Sequence, residues 1–594
     1  MVFSFLYIYY MKKNLVVVLL FCTNCLFAQQ FLKPNKKATK WVDSVFATLN
    51  QDEKIAQLMI IRAHSNLGKE HIEDVTNKIK KYNVGGLCFF QGGPARQANL
   101  TNYYQSISKI PLLITIDAEW GLGMRLDSVS LFPKNMMLGA MQNKELVYEV
   151  GKAIGKQCKR MGIQLNYAPV CDVNNNPANP VINDRSFGED KNKVSSSTNL
   201  VIKGMEEMGV MACAKHFPGH GDVAVDSHLD LPVINKSMDE LMALELYPFK
   251  QQIKKELSCI MTAHLSVPAI DSTKNLPTSL SKKVVTNLLK NKLKFKGLII
   301  TDGLEMKGVT KYFPNGEASA QAIIAGNDLL CVPEDIDSSI AKIKLAIAQK
   351  KISQKNIDAS IKKILLAKYN LGLNKNPLID TVNLTNDLNN ETNNLIAKIA
   401  ENAITIVKQE NQNIIPLNNI TKPYDVLPRI AHIAIGNGKR NEFSKRLNKE
   451  FNADTYYFNN SFSATFKIRD SIEPRPGEVL KENNNQYDLV KNIIDSCTKL
   501  KKYDAVIISL HQYNRRPTNN FGLDSSAIYL MQQFSDNKNA ILFFFGNPYA
   551  IKNTCNAKNI VACYEDDEII QAKAADLLLG KFTAKGKLPV SVCE

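Results

Sequence analysis

Residues 215–228 read KHFPGHGDVAVDSH, which sets a lysine, three histidines and two aspartates on a stretch that Pro218, Gly219 and Gly221 keep out of a regular helix. Side chains of these types move protons, hold anions or ligate metals. His216 and His220 stand four apart, a spacing that would put two zinc ligands on one helical face, but the intervening Pro-Gly breaks that face. Asp226 and His228 make the better pair. A carboxylate two residues from an imidazole can fix its tautomer and raise its proton affinity, which yields an acid/base group. For any single histidine a polar loop satisfying backbone groups is the simpler reading. Four of the chain's eight histidines (His216, His220, His228 and His264) crowd into this one region, which weighs against it.

A second acid completes the set. Asp302 follows the apolar run Gly-Leu-Ile-Ile-Thr and precedes Gly303-Leu304-Glu305-Met306. With Asp226 and His228 it supplies the two halves of a double displacement, a nucleophile on one side of a scissile bond and a proton donor on the other. That chemistry is retaining glycoside hydrolysis.

Something must carry these groups to one place. From Ile55 to about Leu371 the chain repeats a short β-branched apolar run, a polar turn and a longer amphipathic segment. Strands are expected at Leu58–Ile61, Val84–Phe90, Leu112–Ile116, Gln164–Ala168, Val210–Ala214, Ser258–Thr262, Gly297–Thr301 and Asp328–Cys331. Eight such cycles predict a (β/α)8 barrel over 38–373. Asp117 and Glu119 come after the third strand, Asp172 and Arg185 after the fourth, Lys215 and His216 after the fifth, His264 after the sixth and Asp302 after the seventh. The C-terminal mouth of such a barrel carries its chemistry, and this ordering is what an active site there requires.

Residues 374–394 are rich in Asn and Thr and read as a linker. A smaller α/β sandwich with a mainly parallel sheet is expected over 395–594, with a helix from Leu395 to Ala403 and strands at Ile430–Ile435, Ala505–Leu510, Ala540–Phe545 and Ile560–Cys563. Residues 459–488 lack periodicity and read as an inserted surface loop.

The runs TIDAEWGLGMRL (115–126), NPVINDRSFGED (179–190), KHFPGHGDVAVDSH (215–228), ITDGLEMKGV (300–309) and AGNDLLCVP (325–333) resemble glycoside hydrolase family 3 in its β-N-acetylglucosaminidase branch. The second domain resembles that family's C-terminal sandwich, through ENAITIVKQENQNIIPL (401–417) and GKFTAKGKLPVSV (580–592). The resemblance implies a covalent glycosyl-enzyme on Asp302, with His228 as acid then base and Asp226 as its partner. It puts sugar-holding positions at Asp117, Arg125, Arg185, Lys215 and His216. It implies an exo-acting enzyme that removes terminal N-acetylglucosamine from peptidoglycan fragments or related oligosaccharides, with neither metal nor cofactor. Trp120 and Leu122 depart from the family pattern, standing where a glycine and an arginine are usual; Trp120 could offer an apolar platform to a sugar face.

Three other outcomes stay open. An imidazole repels an incoming anion less than a carboxylate does, so phosphate could replace water and make the enzyme a phosphorylase. A β-glucosidase on the same barrel and a non-catalytic wall-binding protein are the others.

Composition bounds the rest. At 594 residues the chain exceeds one ordinary core, and 45% hydrophobic with 22% charged residues describes a folded protein. Lys12-Lys13 and the apolar run Leu15 to Phe27 predict a signal peptide over 1–28, cleaved near Ala28, and hence an exported, most simply periplasmic, protein without stable membrane insertion. The net charge of +17 is dispersed and not interleaved with aromatics, which argues against nucleic acid and leaves a carbohydrate as the partner. Cys88, Cys171, Cys213, Cys259 and Cys331 sit in apolar runs and read as buried thiols. No disulfide framework is indicated.

Overall fold

The computed structural model describes residues 30–226, 230–420, 428–436, 439–460, 486–500 and 503–593. The stretch expected to be a signal peptide, His228 and most of the 459–488 stretch lie outside the described residues.

Eight parallel strands form the first sheet: β1 (Met59–Ala63), β2 (Gly86–Phe89), β3 (Leu113–Ile116), β4 (Leu165–Asn166), β5 (Met211–Phe217), β6 (Cys259–Thr262), β7 (Leu298–Thr301) and β8 (Leu330–Cys331). Their order, 7-6-5-4-3-2-1-8, closes on itself through a parallel bridge between Ile300 and Leu329. The barrel is therefore the one its apolar runs predict. Strands covered on both faces read as unbroken hydrophobic stretches, as LITI, CIMT and LIIT do, and all of their residues are buried. Strand β5 runs further than its apolar run suggests and includes Lys215 and His216, whose polar side chains are buried inside the barrel rather than in a following turn.

Outside, the helices Lys144–Arg160 and Lys191–Glu207 lie against each other so closely that a Cβ on Gly151 would come within 2.5 Å of the Val201 carbonyl. Asn143 and Asp190 cap their N-termini by accepting from the Glu145 and Lys193 amides.

The second sheet is β9 (Thr405–Gln409), β10 (Ile430–Gly436), β11 (Asp454–Asn459), β12 (Ala505–Leu510), β13 (Ala540–Phe544) and β14 (Asn559–Ala562), in the order 11-10-12-13-14-9. All its pairings are parallel except β14 with β9. Between the two units, 374–394 contains a helix, Leu384–Asn389, whose Leu384 and Leu388 are buried. Arg160 fixes this stretch to the barrel through Asp387 at 2.8 Å and the Val382 carbonyl at 2.8 Å. The five thiols read as buried are so. Cys555 and Cys593, in contrast, form a disulfide across 38 residues that ties the C-terminal segment to the second domain.

Candidate active site

The C-terminal mouth of the barrel holds a cavity of about 320 Å³, lined by Asp117, Arg125, Arg185, Lys215, His216 and Asp302 among others. Six residues from four strands or their following loops, spread over 186 positions of sequence (117 to 302), thus converge on one space.

Its back wall is a charge network. Lys215 Nζ lies 2.6 Å from Asp117 Oδ1 and 2.7 Å from Glu119 Oε1. Arg185 grips Glu119 with two parallel bonds, Nε to Oε2 at 2.9 Å and Nη2 to Oε1 at 2.6 Å. Arg125 closes the other side, donating from Nη2 to Asp117 Oδ2 at 3.0 Å and from Nε to the Asp117 carbonyl at 2.8 Å. Burial alone would raise the Glu119 carboxyl; Arg185 and Lys215 outweigh it and hold the group well below the usual carboxylate range. Burial likewise opposes the charge of Lys215, yet Asp117 and Glu119 raise its proton affinity above the ordinary value. Glu119 and Lys215 therefore stay ionised, an acceptor and a donor fixed against each other at the cavity.

His216 is oriented from behind. Its Nδ1 lies 2.8 Å from Asp172 Oδ2, and Asp172 Oδ1 accepts from the His220 amide at 2.8 Å. A carboxylate on Nδ1 fixes the tautomer in which Nε2, 3.4 Å from Arg185 Nη2, is turned to the cavity side. His220 is buried beside it, and burial followed by the charge of His216 brings its imidazole down to about 4.

Asp302 follows β7, and its Oδ1 accepts from the Gly303 amide at 2.8 Å. Burial pushes this carboxyl up, but His264, His216, the Gly303 N–H and Lys215 prevail and bring it down to about 2. It is an anion at any ordinary pH. His264 is fully buried: it reaches Ser279 Oγ at 2.7 Å through Nδ1 and donates from Nε2 to the Gly303 carbonyl at 3.0 Å. It braces the turn that carries Asp302. The Ser279 hydroxyl serves this histidine.

Asp226 stands apart from the cavity lining. Its carboxylate is largely buried and lies 3.5 Å from Arg516 Nη1 of the second domain. Trp120 is not part of the cavity lining; Arg515 of the second domain and Lys134 lie 5.5 and 5.7 Å from its ring centroid. The departure from glycine at this position thus builds a contact between domains. Leu122 is buried in the core.

Sequence reasoning missed Arg62, Phe90 and Glu305 as lining residues. Arg62 pairs with Glu305 and lies 3.8 Å over the Phe90 ring, with Arg125 at 5.1 Å. The available signal was a lone arginine ending the apolar run of β1.

The chain is similar to several known proteins. A beta-hexosaminidase A of Pseudoalteromonas piscicida is 34% identical over 379 residues, 58% of this chain and 62% of that protein. A glycoside hydrolase family 3 beta-N-acetylglucosaminidase from Paenibacillus superposes with a TM-score of 0.71 at 26% identity, over 92% of this chain and 99% of that one. A beta-glucoside phosphorylase shares the fold, with a TM-score of 0.77 at 22% identity over 94% of this chain and 97% of that one. Residues 50–367, more than half of the chain, match the glycosyl hydrolase family 3 N-terminal domain, and the chain belongs to that family of glycoside hydrolases.

Proposed function

We propose that this glycoside hydrolase is an exo-acting β-N-acetylhexosaminidase that releases terminal N-acetylglucosamine with retention of configuration, and that peptidoglycan fragments met after export are its substrates. The single observation that carries the reading is Asp302, an anion lining the same cavity as Asp117, Arg125, Arg185, Lys215 and His216. A carboxylate that stays ionised is ready to attack an anomeric carbon, and the other lining residues offer acceptors and donors to sugar hydroxyls.

In this reading Asp302 Oδ bonds to the anomeric carbon while the leaving oxygen takes a proton, and water then displaces Asp302 with the same group acting as base. His228, oriented by Asp226, is the proton carrier, an assignment that rests on the family resemblance. The β-hexosaminidase names of the relatives support N-acetylglucosamine as the sugar.

A panel of nitrophenyl glycosides, with and without inorganic phosphate and with the product anomer followed by NMR, tests the reading. Preference for N-acetylglucosamine, a β-configured first product and indifference to phosphate are expected. Preference for glucose, or a sugar phosphate as product, would overturn it.

A further inference from the structure

The turn Asn183–Arg185 sends one guanidinium into the cavity and presents its other side to the second domain. Asp184 accepts both bonds of the Arg515 fork, Nη2 to Oδ1 at 2.7 Å and Nε to Oδ2 at 3.1 Å, across 331 positions of sequence. Two parallel charge-assisted bonds fix direction as well as distance. Asn547, just past β13, donates from Nδ2 to Asn183 Oδ1 at 2.6 Å and to the Arg515 carbonyl at 2.8 Å. On the barrel side Asn135 Nδ2 donates to the Arg185 carbonyl at 2.7 Å. Three consecutive residues are thereby held from different directions, and Asn183 is kept at φ 42°, in the left-handed region that few side chains choose unaided.

Remove Arg515 and the Asp184 carboxylate, only 10% exposed, retains Lys134 at 3.9 Å as its ion-pair partner. It must then turn towards water to recover its lost bonds, and the adjoining Arg185 moves with it. The following residue, Arg516, reaches Asp226 on a second barrel loop, so the same two-residue stretch touches two of the loops at the barrel mouth.

We propose that Arg515 is a positioning residue for the substrate: through Asp184 it sets where Arg185 meets the sugar, which makes the second domain part of the binding geometry. This rests on the reading that Arg185 holds the sugar. A misplaced contact of this kind weakens ground state and transition state together, and so appears chiefly in KM.

Kinetics of Arg515→Ala, Arg515→Lys and Asp184→Asn, measured on whichever glycoside of the panel the wild type cleaves fastest, test the proposal independently of which sugar that is. Arg515→Ala is expected to raise KM by about tenfold to a hundredfold with a much smaller change in kcat. Arg515→Lys should recover part of the loss, millimolar guanidinium should lower the KM of Arg515→Ala, and Asp184→Asn added to Arg515→Ala should cost little more. Unchanged KM in Arg515→Ala and Asp184→Asn overturns the proposal. So does a fall in kcat that follows the loss of folded protein at constant KM, because that is the mark of a purely structural contact.

Discussion

Lys215 and Glu119 meet 2.7 Å apart with side chains only 2% and 1% exposed, at the mouth of a barrel whose strands are mostly apolar. Two charges removed from water are tolerable only when each has further partners, and here Asp117 and Arg185 supply them.

Glu119→Ala strips Arg185 of its fork and leaves two buried cations facing one remaining acid. A loss of about 3–5 kcal/mol of stability is expected, the cost of breaking a buried ion pair from one side. Urea unfolding measures it; a loss no larger than that of a surface substitution would show that the network is not a stabilising unit.

Asp302→Ala should lower kcat by at least about a thousandfold, the scale on which removal of a covalent nucleophile acts. Azide should restore turnover by taking the vacated position, giving a glycosyl azide of inverted configuration. Retention of wild-type kcat would remove Asp302 from the chemistry.

The Asp302 carboxyl also predicts a pH dependence. Its value falls from the ordinary 3.8 to about 2 on folding, so the stability it contributes is complete above about pH 4 and lost as pH falls through 2. Asp302→Asn should therefore flatten the acid limb of a stability profile between pH 4 and 2. The same sign means that a fall in activity between pH 5 and 7 belongs to another group.

His220 acts in the opposite sense. Its imidazole titrates at 6.5 unfolded and about 4 folded, so the unfolded chain binds the extra proton first and stability declines as pH drops from 6.5 to 4. Denaturant midpoints taken across that window should slope less steeply in His220→Asn. An unaltered slope would place the titration elsewhere.

Much of this architecture was legible in the residues because parallel barrel strands are buried on both faces and leave unbroken apolar runs; all eight were recognisable, as were four of the second sheet's strands. The two missed, β9 and β11, are half-exposed strands at opposite edges of that sheet, TIVKQ and DTYYFN, where burial imposes little pattern. Arg62 was overlooked because the strand reading stopped at Ile61, one residue short of the mouth. The helix Leu384–Asn389 hid within an Asn-rich stretch, since its apolar signal is just Leu384 and Leu388. Asp117, Arg125, Arg185, Lys215, His216 and Asp302 were found through motifs and do line one cavity. The Arg515–Asp184 contact carries no local signal at all, because it comes into being only when two separately patterned units dock.

Lys134 illustrates what that docking means for dissecting the molecule. Its ammonium lies 2.7 Å from Glu565 in one unit and 3.9 Å from Asp184 in the other, and burial is offset by these two acids so that it holds its proton more tightly than usual. A barrel expressed without its companion would present this lysine stripped of Glu565 and an aspartate stripped of its guanidinium, on a bare face evolved to be covered. Trimming the protein to its family-defining half would therefore cut an electrostatic seam.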